Sequence, residues 1–475
     1  MRSTRPRRPS SHRTLAAAAL VASLALTGTA LTACTPGDGG PAAGPTGTDA
    51  RTPTAVTLPD TAAGEHARWL LASMNDESPT LGDDIAERMS PAFLDQLPAD
   101  QLVAVLDELR AAAPWIPTAV QGDDSLTIVT VASDSAAGDA LDMQLSLDEA
   151  GLISGLLFSP SAAARTPSTS WDGIASTVGT FAADTVITVT EVEQGEPGDR
   201  LLETGDGSAK PSGSIFKLYV LGAVADAVAA GTLAWDTPLT ITDDLKSLPS
   251  GELQDLPAGS IVTVREAAEK MIAISDNTAA DLLIDAVGPA AVEQAFADMG
   301  QQDPTANVPL LTTRGLFQLG WGDDATAREA WSTGDAQGKQ TAIDALPTGL
   351  VQVPVTDIAD PVWSDGIDWY FTPDDLVAAH LALQEKAATA SGAPVRDILA
   401  INDGLGDVFG DEWSYVAFKG GSSMGVLAGS WYLERTDGAT FVVSIQGSSD
   451  DPAALADTAT FFGQVADAVA LLAKA

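Results

Sequence analysis

The sequence predicts two α+β domains in tandem behind a non-globular leader, and three observations carry that prediction. Between residues 60 and 160, apolar residues at helical spacing give way to short alternating runs. Between residues 171 and 475, strand-like runs bracket a helical middle. Stretches rich in Pro, Thr, Ser, Gly and Ala, without apolar periodicity, separate these segments. A chain of 475 residues accommodates two or three domains, and its 45% apolar content supplies more than one core.

The first 13 residues carry Arg2, Arg5, Arg7, Arg8 and Arg13 and no acid, and a small-residue apolar run, Leu15–Ala33, follows. A basic start followed by an apolar run reads as an export signal over residues 1–33. A membrane-spanning anchor is the alternative on length alone. The run is mostly Ala, Thr, Ser and Gly, and it stops at Cys34, the chain's single cysteine. Leu31-Thr32-Ala33-Cys34 resembles the lipobox of bacterial lipoproteins, which implies cleavage before Cys34 and lipidation of its thiol. Residues 34–59 then read as a flexible tether.

Helices are expected near Thr61–Met74, Asp83–Met89 and Ala99–Ala113, and strands near Ser125–Ala132, Ala140–Leu147 and Leu152–Phe158. The last two strands flank Asp148-Glu149-Ala150-Gly151, a hairpin-turn signal. His66, beside Glu65 and Arg68, reads as part of a solvated helix face. This domain, residues 60–160, shows no cluster of chemistry-bearing residues. After a linker over Pro160–Ser170, the second domain, residues 171–475, opens with strands around Thr185–Glu191 and Arg200–Thr204. A Gly-rich loop, Gly205–Gly213, leads into the apolar helix Leu218–Ala230. Helices near Arg265–Ile274, Thr278–Val287 and Ala290–Met299 come next, and Gln301–Phe371 reads as irregular. A helix over Thr372–Lys386, strands at Ser414–Phe418, Gly429–Glu434 and Thr440–Ile445, and a helix over Pro452–Leu472 close the chain.

Composition narrows the chemistry. With Lys plus Arg at 24 against 65 Asp plus Glu, the net charge of −41 excludes a nucleic-acid binder, which needs a basic footprint. It also disfavours direct binding to an anionic bilayer, so membrane association is expected through the lipid anchor only. One cysteine excludes a disulfide scaffold and thiolate metal sites, and no metal or organic cofactor is expected. Nothing in the residues sets an oligomeric state.

Ser214 and Lys217 are three residues apart at the start of an apolar helix, so their side chains share a face. The positive helix terminus favours an alkoxide at Ser214. Burial of the helix disfavours an ammonium at Lys217, leaving it partly neutral and able to take the Ser214 proton. Ser275-Asp276-Asn277 follows between two helical segments, and Lys419-Gly420-Gly421-Ser422 then ends a strand. This ordered triplet resembles the signature of the penicillin-recognising serine hydrolases, class A β-lactamases and related penicillin-binding proteins.

The resemblance implies a class A β-lactamase-like sheet-plus-helical domain over residues 171–475. It implies Ser214 as the acylated nucleophile, Lys217 as its base and Ser275 as the proton donor to the leaving group. Asn277 would hold Lys217 and bind a substrate amide, and Lys419 would lend positive potential. The backbone N–H groups of Ser214 and Ser422 would form the oxyanion hole beside Gly421. The small front domain and Trp369-Tyr370-Phe371 are similar to two-domain actinobacterial serine-hydrolase lipoproteins and to the serine hydrolase of clavulanic-acid gene clusters. That likeness implies a cystatin- or ketosteroid-isomerase-like front domain and esterase activity on acetylated cephalosporins.

Three departures stand against fast class A activity. The deacylating Glu-x-x-Leu-Asn pattern is missing, since Glu293 and Glu329 lack its context, and no aspartate in the segment is singled out. Gly420 replaces a hydroxyl residue, and Arg435 lies too far along to anchor a carboxylate. Gly421-Ser422-Ser423-Met424-Gly425 matches the nucleophile elbow of α/β-hydrolases, but no histidine follows His380 and a strand, not a helix, is expected next. His380 itself reads as a packed or surface histidine. The expected function is a lipid-anchored serine hydrolase acting through Ser214 on β-lactams, cephalosporin esters or D-alanyl peptides. The alternative is a catalytically silent binding lipoprotein of the same fold.

Overall fold

The structure, a computed structural model, describes residues 55–75, 81–122, 126–133, 140–148, 150–161, 165–354 and 357–474. The expected leader, Cys34 and most of the tether lie outside the described residues. Two compact units are present, one ending before Arg165 and one running from Arg165 onward.

In the first unit, helices α1 (Ala62–Asn75), α2 (Leu81–Arg88), α3 (Pro91–Gln96) and α4 (Ala99–Arg110) precede strands β1 (Trp115–Gly122), β2 (Leu126–Ser133), β3 (Ala140–Leu147) and β4 (Ile153–Pro160). The strands form an antiparallel meander in the order β1-β2-β3-β4. Burial along β2 alternates residue by residue, as a one-sided sheet requires. Val129, Val131, Met143 and Leu145 meet Leu70, Met74, Leu106 and Leu109 in one core.

The reading of three strands here is corrected to four. β1 escaped because Pro117 breaks its alternation; the ladder to β2 shifts register between Pro117 and Ala119. Proline is tolerated because β1 is an edge strand. His66 is also corrected. It is buried, 9% exposed, with Nε2 at 2.9 Å from the Gly151 carbonyl. Its place one turn before Leu70, on the stripe Ala63, Ala67, Leu70 and Met74, faces it inward.

The second unit begins inside the expected linker. Arg165 makes a two-pronged ion pair with Asp467, at 2.8 and 2.5 Å, and the Ser168 N–H donates to the same carboxylate at 2.7 Å. Ser170 then caps α5 (Trp171–Val178) by accepting from Gly173 N. Chain order continues through β5 (Asp184–Glu193), β6 (Glu196–Glu203), β7 (Lys210–Pro211), α6 (Lys217–Ala229), β8 (Pro238–Thr240) and β9 (Ile261–Thr263). Helices α7 (Val264–Ala273), α8 (Asn277–Val287) and α9 (Pro289–Asp298) follow.

Residues 301–371 were expected to be irregular, yet hold α10 (Thr313–Trp321), α11 (Ala325–Thr333), α12 (Ala336–Asp344) and β10 (Tyr370–Phe371). The three helices are nine residues each, too short for a clear period, but Thr312, Asp324 and Asp335 cap them. Finally come α13 (Pro373–Ala387), α14 (Pro394–Leu399), β11 (Trp413–Ser423), β12 (Val426–Arg435), β13 (Thr440–Ser448) and α15 (Thr458–Leu472).

The main sheet is antiparallel in the order β11-β12-β13-β5-β6, so β11 is an edge. One face packs on α5 and α15 through Trp431, Val443, Ile445, Phe461, Val465 and Leu472. On the other side lies the helical core around α6, in which Lys217 and every residue through Ala225 are buried. Burial all round follows from a helix without a polar face. It places Lys217 at the centre of the unit.

Candidate active site

Ser214 stands in a 3-10 turn, Gly213–Phe216, and α6 begins only at Lys217. Ser214 thus precedes the helix, as expected, in a turn where side chains three apart eclipse. The turn is clamped by Phe216 stacked on Trp369, with ring centroids 3.8 Å apart. Ser214 is half-buried, whereas Lys217 is fully buried.

Lys217 Nζ donates to Asn277 Oδ1 at 2.6 Å and to the Ser275 carbonyl at 2.6 Å, and lies 3.2 Å from Ser275 Oγ. Lys419 Nζ, also buried, lies 3.0 Å from the same Ser275 hydroxyl and donates to the Gly420 carbonyl at 2.6 Å. Ser275 Oγ therefore sits between two lysine nitrogens. Burial lowers the Lys217 pKa to about 7, against the weaker pull of Asp276 and Asp281 in the other direction. Burial, and then the charge of Lys217, holds Lys419 well below the usual lysine range. No carboxylate reaches salt-bridge distance of either nitrogen among the described residues.

The loop carrying Ser275 is built for this meeting. Ser275 adopts φ 57°, an uncommon conformation for a residue with a side chain. Asp276 holds the turn by accepting from Ala279 N at 2.8 Å, which caps α8, and from Glu252 N and Leu253 N at 2.8 and 2.9 Å. Asn277 is anchored by donating to the Leu248 carbonyl at 3.0 Å. One turn on, Asp281 accepts from Thr313 N and Arg314 N, and burial raises its pKa to about 6. The segment after α9 thus delivers Thr313, whose hydroxyl donates to the Asn277 carbonyl at 3.1 Å, and not an acid. Glu293 accepts from Leu310 N, and Glu329 is exposed on α11.

The turn carrying Ser214 meets the edge strand β11 at Gly213 and Gly421. The hairpin turn between β11 and β12 is Met424-Gly425, with Ser423 opposite Val426 and Ser422 opposite Leu427. Counting outward from a two-residue turn, Ser422 falls in a non-hydrogen-bonded pair, so its N–H points away from β12. The backbones are close. A Cβ on Gly421 would lie 2.0 Å from the Ser212 carbonyl and 3.0 Å from Ser214 N, and one on Gly213 would lie 2.7 Å from Ser422 N. Only glycine fits at either place. The strand at 426–435 also removes the α/β-hydrolase elbow, which needs a helix after Ser423.

The geometry brings Ser214, Lys217, Ser275, Asn277, Lys419, Gly421 and Ser422 together from the 3-10 turn, α6, the loop before α8, α8 itself and β11. No side-chain hydrogen bond joins Ser214 to Lys217 or to any other described residue. Arg435 binds Asp437 and the Leu472 carbonyl, far from this cluster in the sheet register. His380 is packed, its Nε2 2.9 Å from Ser430 Oγ, and burial lowers its pKa to about 4. Clefts of about 310 and 590 Å³ lie elsewhere, between the β5–β6 hairpin, the end of α9 and α13. Among the described residues no acid, histidine or cysteine cluster is able to hold a metal ion. The sequence reading missed Asp281 and Asp368, both aspartates without a motif around them; only the aromatic run after Asp368 hinted at a packed segment.

Residues 58–153 match the family described as ORF 12 gene product N-terminal. No curated protein matches the chain. Among solved structures, the chain is similar to a β-lactamase from Sphaerobacter thermophilus DSM 20745, at 22% identity and TM-score 0.45, covering 64% of this chain and 98% of that one. It is similar to a protein described as PBP-A, at 18% identity and TM-score 0.44, covering 64% and 95%. A representative class A β-lactamase from Bacteroides cellulosilyticus DSM 14838 shares 18% identity at TM-score 0.44, with 64% and 98% covered. Residues 173–470, well over half of the chain, match the family described as Beta-lactamase enzyme family, and the protein belongs to that family of serine hydrolases.

Proposed function

We propose that the protein is an exported, lipid-anchored hydrolase that forms an acyl-enzyme at Ser214 with β-lactams, cephalosporin esters or D-alanyl peptides. The observation that carries this reading is Lys217: buried, without a salt-bridge partner, its pKa about 7, and three residues from Ser214 in an eclipsing turn. Such an amine takes a proton at neutral pH.

The steps follow from the geometry. Ser214 Oγ bonds to the acyl carbon and its proton passes to Lys217 Nζ. Negative charge builds on the carbonyl oxygen, where the N–H groups of Ser214 and Ser422 stabilise it. Collapse breaks the bond to the leaving group, which takes a proton from Ser275, and Lys217 returns a proton to Ser275 across the 3.2 Å contact. Water then bonds to the acyl carbon, giving a proton to Lys217 Nζ, and the bond from the acyl carbon to Ser214 Oγ breaks, with that proton passing to Ser214 Oγ as the acid leaves. Thr313 offers no base for that water, so Lys217 serves both halves and the acyl-enzyme is long-lived.

One observation favours the silent binding protein instead: Ser214 lacks a hydrogen bond to Lys217. Intact-protein mass after incubation with an acetoxy-cephalosporin separates the two readings. An acyl adduct that Ser214→Ala abolishes is expected, with its decay giving the deacylation rate. Absence of adduct and product from β-lactams, simple esters and D-alanyl peptides would establish the silent protein. Lipidation is tested by fatty-acid incorporation, expected to vanish in Cys34→Ala.

A further inference from the structure

We infer that Asp368 is a positioning residue for acyl transfer: its carboxylate ties the turn carrying Ser214 to the strand end carrying Ser422, and so sets the width of the oxyanion hole. The inference rests on the reading of Ser214 as the acylated nucleophile.

Asp368 is 4% exposed and makes no ion pair among the described residues. Burying a carboxylate without a cation is costly unless hydrogen bonds replace its water. Here Oδ1 accepts from Gly213 N at 2.8 Å, from Ser212 N at 3.2 Å and from its own neighbour Trp369 N at 2.8 Å. Oδ2 accepts from Ser423 Oγ at 2.6 Å. One oxygen therefore holds the residue before Ser214, and the other holds the residue after Ser422. Only an acceptor-only group with two oxygens satisfies all four donors at once.

The tie matters because, among the described residues, Asp368 is the side chain that hydrogen-bonds to both pieces at once. The turn and β11 otherwise meet in direct contact at two glycines, Gly213 and Gly421, with the Ile215 side chain packed against Gly421. Gln446 also anchors the turn, donating to Ser212 Oγ at 2.8 Å and to the Phe371 carbonyl at 2.9 Å. It stands on β13, two strands from β11, and does not touch the strand end. Oxyanion donors act on charge that exists only in the transition state, so a widened hole lowers kcat and leaves KM nearly unchanged.

The test uses the full chain with p-nitrophenyl acetate and an acetoxy-cephalosporin, comparing wild type, Asp368→Ala, Asp368→Asn and Ser423→Ala. Asp368→Ala is expected to lower kcat by about 10²-fold with KM within about threefold of wild type. Asp368→Asn, which keeps an oxygen for the turn and turns its amide to Ser423, is expected to recover about tenfold of that loss. Ser423→Ala is expected to lose about tenfold. Hydrogen exchange of Asp368→Ala is expected to speed up together at residues 210–217 and 419–426, and not across the rest of the unit. Wild-type kcat in Asp368→Asn and Ser423→Ala, a loss confined to KM, or exchange that rises everywhere overturns the inference and leaves Ser214 as nucleophile intact. No acylation of wild type overturns both.

Discussion

The two units bury different kinds of polar group, although each lays helices on antiparallel strands. In the first, the buried polar side chains include His66, Ser73, Ser90 and Thr127, none of them a carboxylate or a lysine. The second buries Lys217, Lys419, Asp276, Asp281 and Asp368 around one turn, one loop and one strand end. A buried ion costs several kcal/mol after relaxation, and replacing it with an apolar residue often stabilises a protein. A concentration of such groups in one unit therefore identifies where fields and proton positions matter more than packing. The first unit buries an apolar core, whereas the second also buries charged groups, several of them gathered about Ser275 and the turn at Ser214.

The largest effect that would break this comparison is at Lys217. Lys217→Met removes the buried base and is expected to slow acylation by about 10³-fold or more while the melting temperature stays level or rises. Burst kinetics and calorimetry on the same preparation check both halves; unchanged acylation would detach burial of charge from function. Next in size, Ser275→Ala is expected to cost about 10²-fold with a poor leaving group and much less with p-nitrophenolate, which departs without a proton. Equal losses on both substrates would make Ser275 a support for the lysines only.

The pH dependence sharpens the contrast further. Lys217 accepts a proton only when neutral, and burial sets its pKa at about 7. Acylation below that value is expected to rise about tenfold per pH unit and to level off above it. A profile flat from pH 5 to 9 would remove Lys217 as the base. The smallest expected effect falls in the first unit. His66→Leu forfeits one hydrogen bond to the Gly151 carbonyl, costing about 1 kcal/mol in denaturant unfolding, with acylation rates unaltered.

Much of the site was legible before the fold was known. Ser214 and Lys217 share a face by spacing alone, and the apolar run Leu218–Ala230 announces burial of the lysine. Lys419-Gly420-Gly421-Ser422 reads as a strand end with a further strand after it, and the β11–β12 pairing has that form. Other features had no local signal. His66 sits among polar neighbours in sequence and faces inward only because Leu70 and Met74 do. Helices α10 to α12 are shorter than the window in which a 3.6-residue period shows, and β1 is interrupted by Pro117. Asp368 looks like any loop aspartate until the chain folds back on residues 210–212 through the β7–β10 pairing.

Which side chains share a turn, where helices are capped and which helix has no polar face were determined by the sequence itself, because backbone geometry sets those relations over a few residues. The tertiary structure alone decided that Lys419 and Lys217 meet at one hydroxyl, that the Thr313 hydroxyl meets the Asn277 carbonyl, and that Asp368 joins the turn before Ser214 to the strand end after Ser422. Those outcomes depend on which distant elements exclude water from one another. Desolvation and long-range hydrogen bonding are properties of the packed interior, and no stretch of sequence carries them by itself.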